Sequence, residues 1–124
     1  MVEYLEELQL SKFIAFDVET TGLNPAVDYI IEFSAILFEN GKKARVMTFL
    51  CNPGRKITPE IENLTGITND MLKDQKSFAE RADGLMEFIG NLPIVGHNLS
   101  FDMAFLKSEL RRAGESDRLG NTLY

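Results

Sequence analysis

The sequence predicts a single α/β domain in which helices cover a mixed sheet. Segments with the apolar or alternating composition of strands come first, at about 12–18, 29–38 and 43–51. Segments with apolar residues at helical spacing follow, and the short apolar stretch Pro93–Gly96 separates the last two of them. The resulting order, βββ-α-β-α, is an antiparallel meander followed by helices and one further strand.

Turn residues separate the three strands. The first strand ends at the TTG sequence of 20–22, after which Asn24 and Pro25 favour irregular backbone. The NG sequence at 40–41 predicts a two-residue hairpin with a type I′ turn, because both central residues of that turn need a positive φ. The third strand stops at the NPG sequence of 52–54.

Capping residues mark the starts of the helices. Thr58 is expected to cap a short helix that reaches about Leu64, and Thr68 is expected to start a second one. The segment 77–90 opens with the capping-box sequence SFAE and has apolar residues at helical spacing. The last helix is expected over about 98–112, with Gly114 as its stop.

Composition and charge limit the classes of function. The 13 basic and 19 acidic residues give a net charge of -6, which argues against the basic face of a duplex-binding protein. One cysteine, Cys51, excludes an internal disulfide, and one histidine, His97, excludes a zinc cluster of Cys and His. Neither a membrane span nor a signal peptide is indicated. We expect a cytoplasmic protein with a lead-in at 1–11 and a domain at 12–124.

Two acids interrupt the first strand near its carboxyl end. They are Asp17 and Glu19, and residues i and i+2 of a strand point to one face with roughly 6 to 7 Å between them. A carboxylate that enters a core is costly unless it is paired or bound to a metal. Ligands of open α/β sheets usually bind at this edge. Considered alone, the pair is equally compatible with two solvated acids beside a turn.

A third acid, Asp102, falls in the first turn of the last helix. If strand 93–96 pairs beside the first strand, this helix start lies next to Asp17 and Glu19. The helix dipole alone would stabilise such an acid by about 0.3 to 1 kcal/mol. Three acids at one edge also suit Mg²⁺ or Mn²⁺, and two such ions can activate a water and stabilise the departing oxygen of a phosphodiester. Hydrolysis of a phosphate ester is therefore the leading chemistry.

Three ordered motifs carry a resemblance to a known family. FDVETTGL at 16–23, LTGIT at 64–68 and GHNLSFDMAFL at 96–106 resemble the first motif, the middle segment and the second motif of the DnaQ-like DEDD 3′-to-5′ exonucleases. That family includes the proofreading subunits and domains of bacterial DNA polymerases, and ribonuclease T. The resemblance covers residues 13 to about 110 and implies a ribonuclease H-like fold.

The resemblance implies a role for each motif. Asp17, Glu19 and Asp102 would bind two divalent ions, Mg²⁺ or Mn²⁺, and act as the catalytic carboxylates on a single-stranded 3′ end of DNA or RNA. The Leu23 side chain would wedge against a base and the Phe101 ring would stack on one, although both could instead be ordinary packed residues. The substrate-binding residues expected from the resemblance are Thr20, Thr21, Gly22, Leu23, Glu60, Thr65, Asn98 and Phe101.

The sequence departs from the family pattern after the second motif. Histidine-type members have a third motif, H-x-x-x-x-D, which supplies a general base and a fourth carboxylate, and none follows the second motif here. His97 lies within the second motif, so we interpret it as a histidine hydrogen-bonded at the strand-to-helix junction. GNTLY at 120–124 resembles the family's next strand, with Asn121 in place of an acid. We expect a domain truncated before its last helices, whose uncovered apolar face favours self-association.

Two functions remain open. The first is a 3′-to-5′ exonuclease that uses two metal ions, from a DNA polymerase proofreading subunit or a related nuclease. The second is a non-catalytic module on the same scaffold that binds metal or nucleic acid weakly, because the third motif is missing and the isolated chain would be weak or inactive. A phosphatase with a D-x-D-x-T strand end is excluded, because Glu19 stands where an aspartate is required.

Overall fold

The mixed α/β architecture predicted from the sequence is present in the computed structural model, which describes residues 11–115 and 119–124. Most of the predicted lead-in, residues 1–10, lies outside the described residues. In chain order the elements are β1 (Lys12–Thr20), β2 (Ile30–Glu39), β3 (Lys42–Leu50), α1 (Pro59–Thr65), α2 (Asn69–Leu72), α3 (Phe78–Ile89), β4 (Ile94–Val95) and α4 (Leu99–Arg112).

The four strands form one sheet in the order β3-β2-β1-β4. The strands β1, β2 and β3 are antiparallel neighbours, whereas β4 runs parallel to β1 through the pairs Ile14–Ile94 and Ala15–Val95. Leu123 bridges Ile94 in parallel on the other side of β4, as expected for GNTLY as the family's next strand. The parallel pairing of β4 with β1 brings the start of α4 to the carboxyl end of β1.

The turns and caps predicted from local sequence signals are present in the structure. Asn40 and Gly41 have φ values of 51° and 80°, as the type I′ hairpin requires. Thr58 caps α1 by accepting a hydrogen bond from a backbone N–H. Ser77 and Glu80 make both bonds of the capping box at the start of α3.

The main core lies between one face of the sheet and the helices α3 and α4. Its largest fully buried members include Phe33 and Ile14 from the sheet, Leu85 from α3, and Phe105 and Leu106 from α4. A smaller cluster packs α1 and α2 near the start of β2 and consists of Ile31, Ile57, Ile67 and Leu72. The two long helices, α3 and α4, therefore each bury an apolar stripe, as their sequence spacing indicates.

The opposite face of the sheet divides into an apolar and an acidic part. Phe13 is buried and stacks on Phe38 with 5.1 Å between the ring centroids. Ile36 is half-buried on the same face, and Val46 is exposed at the sheet edge. Self-association through this face stays a prediction. Within the described segments, no helix is both long and apolar enough to cross a membrane.

Candidate active site

The acidic part of the sheet lies at the carboxyl end of β1. Asp17 and Glu19 project from the face opposite the main core, because the alternate residues Phe16 and Val18 pack into that core. Asp17 is exposed and Glu19 is half-buried. Both side chains thus share one face, as their spacing predicts, but they stand beside the core rather than inside it.

A further acid on β2 enlarges this acidic region. Glu32 is the cross-strand partner of Glu19 in the antiparallel pair, and its side chain is half-buried. Burial raises the pKa of Glu19, and the negative charges of Asp17 and Glu32 raise it further. Sequence reasoning missed Glu32, because the register that places it opposite Glu19 depends on the length of the loop between the two strands.

Asp102 is the most deeply buried of these acids. It lies in the first turn of α4 and is only 7% exposed, and its carboxyl group has no hydrogen-bond partner among residues 11–115 and 119–124. Burial raises the pKa of Asp102 to about 6, with further contributions from the charges of Asp17 and Glu19. Asp17 and Glu19 therefore lie close enough to Asp102 for their charges to affect its pKa.

The donor set of this trio consists only of carboxylate oxygens, which hard divalent cations prefer. A cation would relieve both the mutual repulsion and the burial penalty of Asp102. In the described part of the chain, however, no three His, Cys, Asp or Glu side chains stand close enough together to hold a metal ion. Repulsion between like charges is a physical reason for such separation. The donor types at this site therefore suit a divalent cation, but the side-chain positions in this structure do not form a binding site for one.

The residues after Glu19 form a compact loop. The Thr20 hydroxyl donates to the Gly22 carbonyl oxygen at 2.6 Å, and the Thr21 hydroxyl donates to the Asp28 carboxylate at 3.3 Å. Gly22 packs against Asp28 so closely that an added Cβ would lie 2.3 Å from a carboxylate oxygen. Leu23 is 84% exposed, so its interpretation as an ordinary core leucine is wrong.

The two predicted residues of the middle segment differ in what their side chains do. Glu60 is exposed in the first turn of α1. The Thr65 hydroxyl donates to the Ile61 carbonyl oxygen at 2.8 Å and accepts from the Ile67 N–H at 3.1 Å. Thr65 therefore stabilises the end of α1, and a substrate contact by its hydroxyl would compete with these bonds.

The second motif places three candidate residues at the start of α4. Asn98 is the cap residue, with a left-handed φ of 46°, and its side chain makes no capping hydrogen bond. Phe101 is half-buried and contacts Phe105, with 4.9 Å between the ring centroids, which favours packing over base stacking. His97 is exposed and has no hydrogen-bond partner among the described residues, so the predicted hydrogen bond of His97 at this junction is not observed.

A comparison with protein families identifies this architecture. The family model RNase_T, described as Exonuclease, matches residues 14–119. The chain belongs to this exonuclease family. The match contains the three motifs, so the family predicted from the sequence is confirmed.

The relatives of this exonuclease domain are much longer proteins. The DNA polymerase III PolC-type of Halalkalibacterium halodurans is 40% identical over 104 residues, which cover 84% of this chain and 7% of that protein. The 3′-5′ exonuclease DinG of Bacillus subtilis is 38% identical over 104 residues, which cover 83% of this chain and 11% of that protein. The chain thus spans about a tenth or less of the length of these relatives.

Solved structures show the same fold. A product-bound exonuclease I has a TM-score of 0.79 at 24% identity, covering 94% of this chain and 30% of that one. A zinc-bound complex of Escherichia coli ExoI with single-stranded DNA has a TM-score of 0.73 at 25% identity, covering 94% of this chain and 28% of that one. The predicted ribonuclease H-like sheet with flanking helices is therefore confirmed.

Proposed function

We propose that this exonuclease domain hydrolyses phosphodiesters in the 3′-to-5′ direction at the end of a single DNA strand. The observation that carries the proposal is the convergence of Asp17, Glu19 and Asp102 at the carboxyl end of β1, with a buried Asp102 carboxyl that has no hydrogen-bond partner among the described residues. Relatives named as a DNA polymerase III PolC-type and as the 3′-5′ exonuclease DinG favour a role in replication or proofreading in the cytoplasm.

In this mechanism Asp17, Glu19 and Asp102 would hold a pair of divalent cations, Mg²⁺ or Mn²⁺. Such a pair would activate the attacking water and stabilise the departing 3′ oxygen. Asp17 and Glu19 approach from β1, and Asp102 approaches from α4, so the reacting phosphate would lie between two separate elements. Since burial and like charges disfavour an ionised Asp102, this group would exchange its proton for a cation when the site is loaded.

The substrate would lie along the loop after β1. The exposed Leu23 side chain is free to contact the terminal base, and the backbone of 20–22 lines the approach to the acids. Glu60 and Asn98 are exposed on the flanking helix starts, where they could contact the terminal nucleotide. RNA would be accepted only where the site also accommodates a 2′-hydroxyl.

The proposal is tested with a 5′-labelled single-stranded oligonucleotide in Mn²⁺. Wild-type chain is expected to shorten it stepwise from the 3′ end, and Asp17→Asn should reduce the rate at least 100-fold. Asp83→Asn is the matched control, because Asp83 is exposed on α3 and has no partner among the described residues. Equal rates for wild type and Asp17→Asn would contradict the proposal and favour a non-catalytic module.

A further inference from the structure

The carboxyl-terminal half of α4 contacts the loop between β1 and β2, residues 21–29. The Arg112 guanidinium donates through Nη2 to the Pro25 carbonyl oxygen at 2.6 Å and to the Asp28 carbonyl oxygen at 2.8 Å. The Ser108 hydroxyl donates to the same Pro25 oxygen at 2.6 Å. Arg112 also lies over the Tyr29 ring, 4.3 Å from its centroid. One side chain thus joins three residues of the loop to one turn of helix.

A buried carboxylate holds Arg112 in this position. Glu109 is 6% exposed, and it accepts hydrogen bonds from Arg112 Nη1 at 3.0 Å and from the Ile30 backbone N–H at 2.9 Å. Burial raises the pKa of Glu109, while the Ile30 N–H and Arg112 oppose that rise. Glu109 is not among the acids at the end of β1, and its two bonds point to a structural role in attaching β2 and the loop to α4.

Bonds inside the loop connect this attachment to residues 20–23, which are proposed to contact the terminal nucleotide. The Asp28 carboxylate accepts from the Asn24 N–H at 3.0 Å and from the Thr21 hydroxyl at 3.3 Å. The Thr21 N–H donates to the Tyr29 carbonyl oxygen at 2.9 Å. Gly22 lies in close contact with the Asp28 carboxylate. A shift of Asp28 would therefore move the backbone that precedes Leu23.

The same helix carries Asp102 at its other end. An α-helix rises about 1.5 Å per residue, so roughly 15 Å of rigid helix separates Asp102 from Arg112. We propose that Arg112, held by Glu109, is a positioning residue that fixes the loop at 21–29 relative to Asp102 and so aligns the terminal nucleotide with the acids. This inference rests on the proposed exonuclease function. Misplacement of a substrate by about 1 Å can reduce a rate by about 100-fold.

Two substrates separate a positioning role from a purely structural one. The single-stranded oligonucleotide needs the loop, whereas bis(p-nitrophenyl) phosphate has no base or sugar and needs only the acids with their metal. Arg112→Met should reduce kcat/KM for the oligonucleotide at least tenfold and change hydrolysis of the small diester less than twofold. Arg112→Lys keeps the charge and should restore part of the loss. The control Arg111→Met removes an exposed arginine of the same helical turn.

Amide hydrogen exchange provides a readout that does not depend on activity. In Arg112→Met, exchange at Thr21, Asp28 and Tyr29 should accelerate at least tenfold, with no change in the paired amides of β1. The inference would be overturned if Arg112→Met lost activity on both substrates equally, or if its oligonucleotide activity equalled that of Arg111→Met. Unchanged amide exchange in the loop would also overturn it. A wild-type chain that cleaves neither substrate would contradict the proposed exonuclease function and the substrate role of the loop. Amide exchange in Arg112→Met would still show whether Arg112 attaches the loop to α4.

Discussion

Asp17 on β1 lies close enough to Asp102 on α4 for its charge to raise the pKa of Asp102, although 84 residues of the chain lie between the two acids. The parallel pairing of β4 with β1 brings them together. Burial is the larger cause, and it leaves a carboxyl group with a pKa of about 6 and no hydrogen-bond partner among the described residues. Such a group destabilises the chain when it is ionised alone. The proposed cation-binding role would account for an unpaired acid at this position.

The first prediction concerns pH and the stability of the metal-free chain. The pKa of Asp102 is about 6 in the fold, against an ordinary value of 3.8, so the folded chain binds more protons than the unfolded chain between these pH values. The free energy of unfolding should therefore fall as pH rises from about 4 to 7. Asp102→Asn should remove this loss and be more stable at pH 7.5 by about 1 to 3 kcal/mol. Urea unfolding at pH 4 and pH 7.5 measures the free energy of unfolding of wild type and Asp102→Asn. A difference between the two chains that is the same at both pH values would contradict the prediction.

The second prediction concerns the close contact at Gly22. In Gly22→Ala the new Cβ would lie 2.3 Å from an Asp28 carboxylate oxygen, so the loop must shift, at a cost of about 1 to 3 kcal/mol. Gly84→Ala in α3 is the matched control, since the added Cβ would lie 3.9 Å from Met47 Cε and meet no closer atom. The control should gain about 0.5 to 1 kcal/mol from helix propensity. Urea unfolding measures both variants, and a neutral Gly22→Ala would show that the loop adapts freely.

The third prediction separates stability from substrate binding at Leu23. Because Leu23 is 84% exposed, Leu23→Ala should change the free energy of unfolding by less than about 0.5 kcal/mol. Its KM for a single-stranded oligonucleotide should rise about tenfold, which corresponds to about 1.4 kcal/mol of lost contact. Val46→Ala removes an exposed apolar side chain from β3 and serves as the control. An unchanged KM in Leu23→Ala would exclude the base contact.

The fold could be predicted largely from the sequence, because its signals are local. The NG turn at 40–41 and the SFAE box at 77–80 depend on residues adjacent in the chain, and both formed as expected. The place of β4 beside β1 was not fixed by local pattern and stood only as a condition for bringing the start of the last helix near the end of the first strand, and the structure shows this pairing. That condition, rather than any local signal, is what placed Asp102 near Asp17.

The features that the sequence did not reveal depend on long-range packing. Glu109 and Arg112 contact residues about 80 positions earlier in the chain, and an SELRR sequence at the end of an amphipathic helix resembles any solvated surface. The burial of Asp102 was likewise invisible, because a first-turn acid is usually exposed. Only the packed helix shows which polar residues are held against the loop.

The most direct measurement is urea unfolding of wild type and Asp102→Asn at pH 7.5, each with and without Mn²⁺. Without metal the variant should be the more stable chain. Saturating Mn²⁺ should stabilise wild type, by about 2.7 kcal/mol at a concentration 100 times Kd, and should stabilise the variant far less. The predicted result is therefore a reversed order of stability. An equal effect of Mn²⁺ on both chains, or none on either, would contradict a metal site formed by Asp17, Glu19 and Asp102.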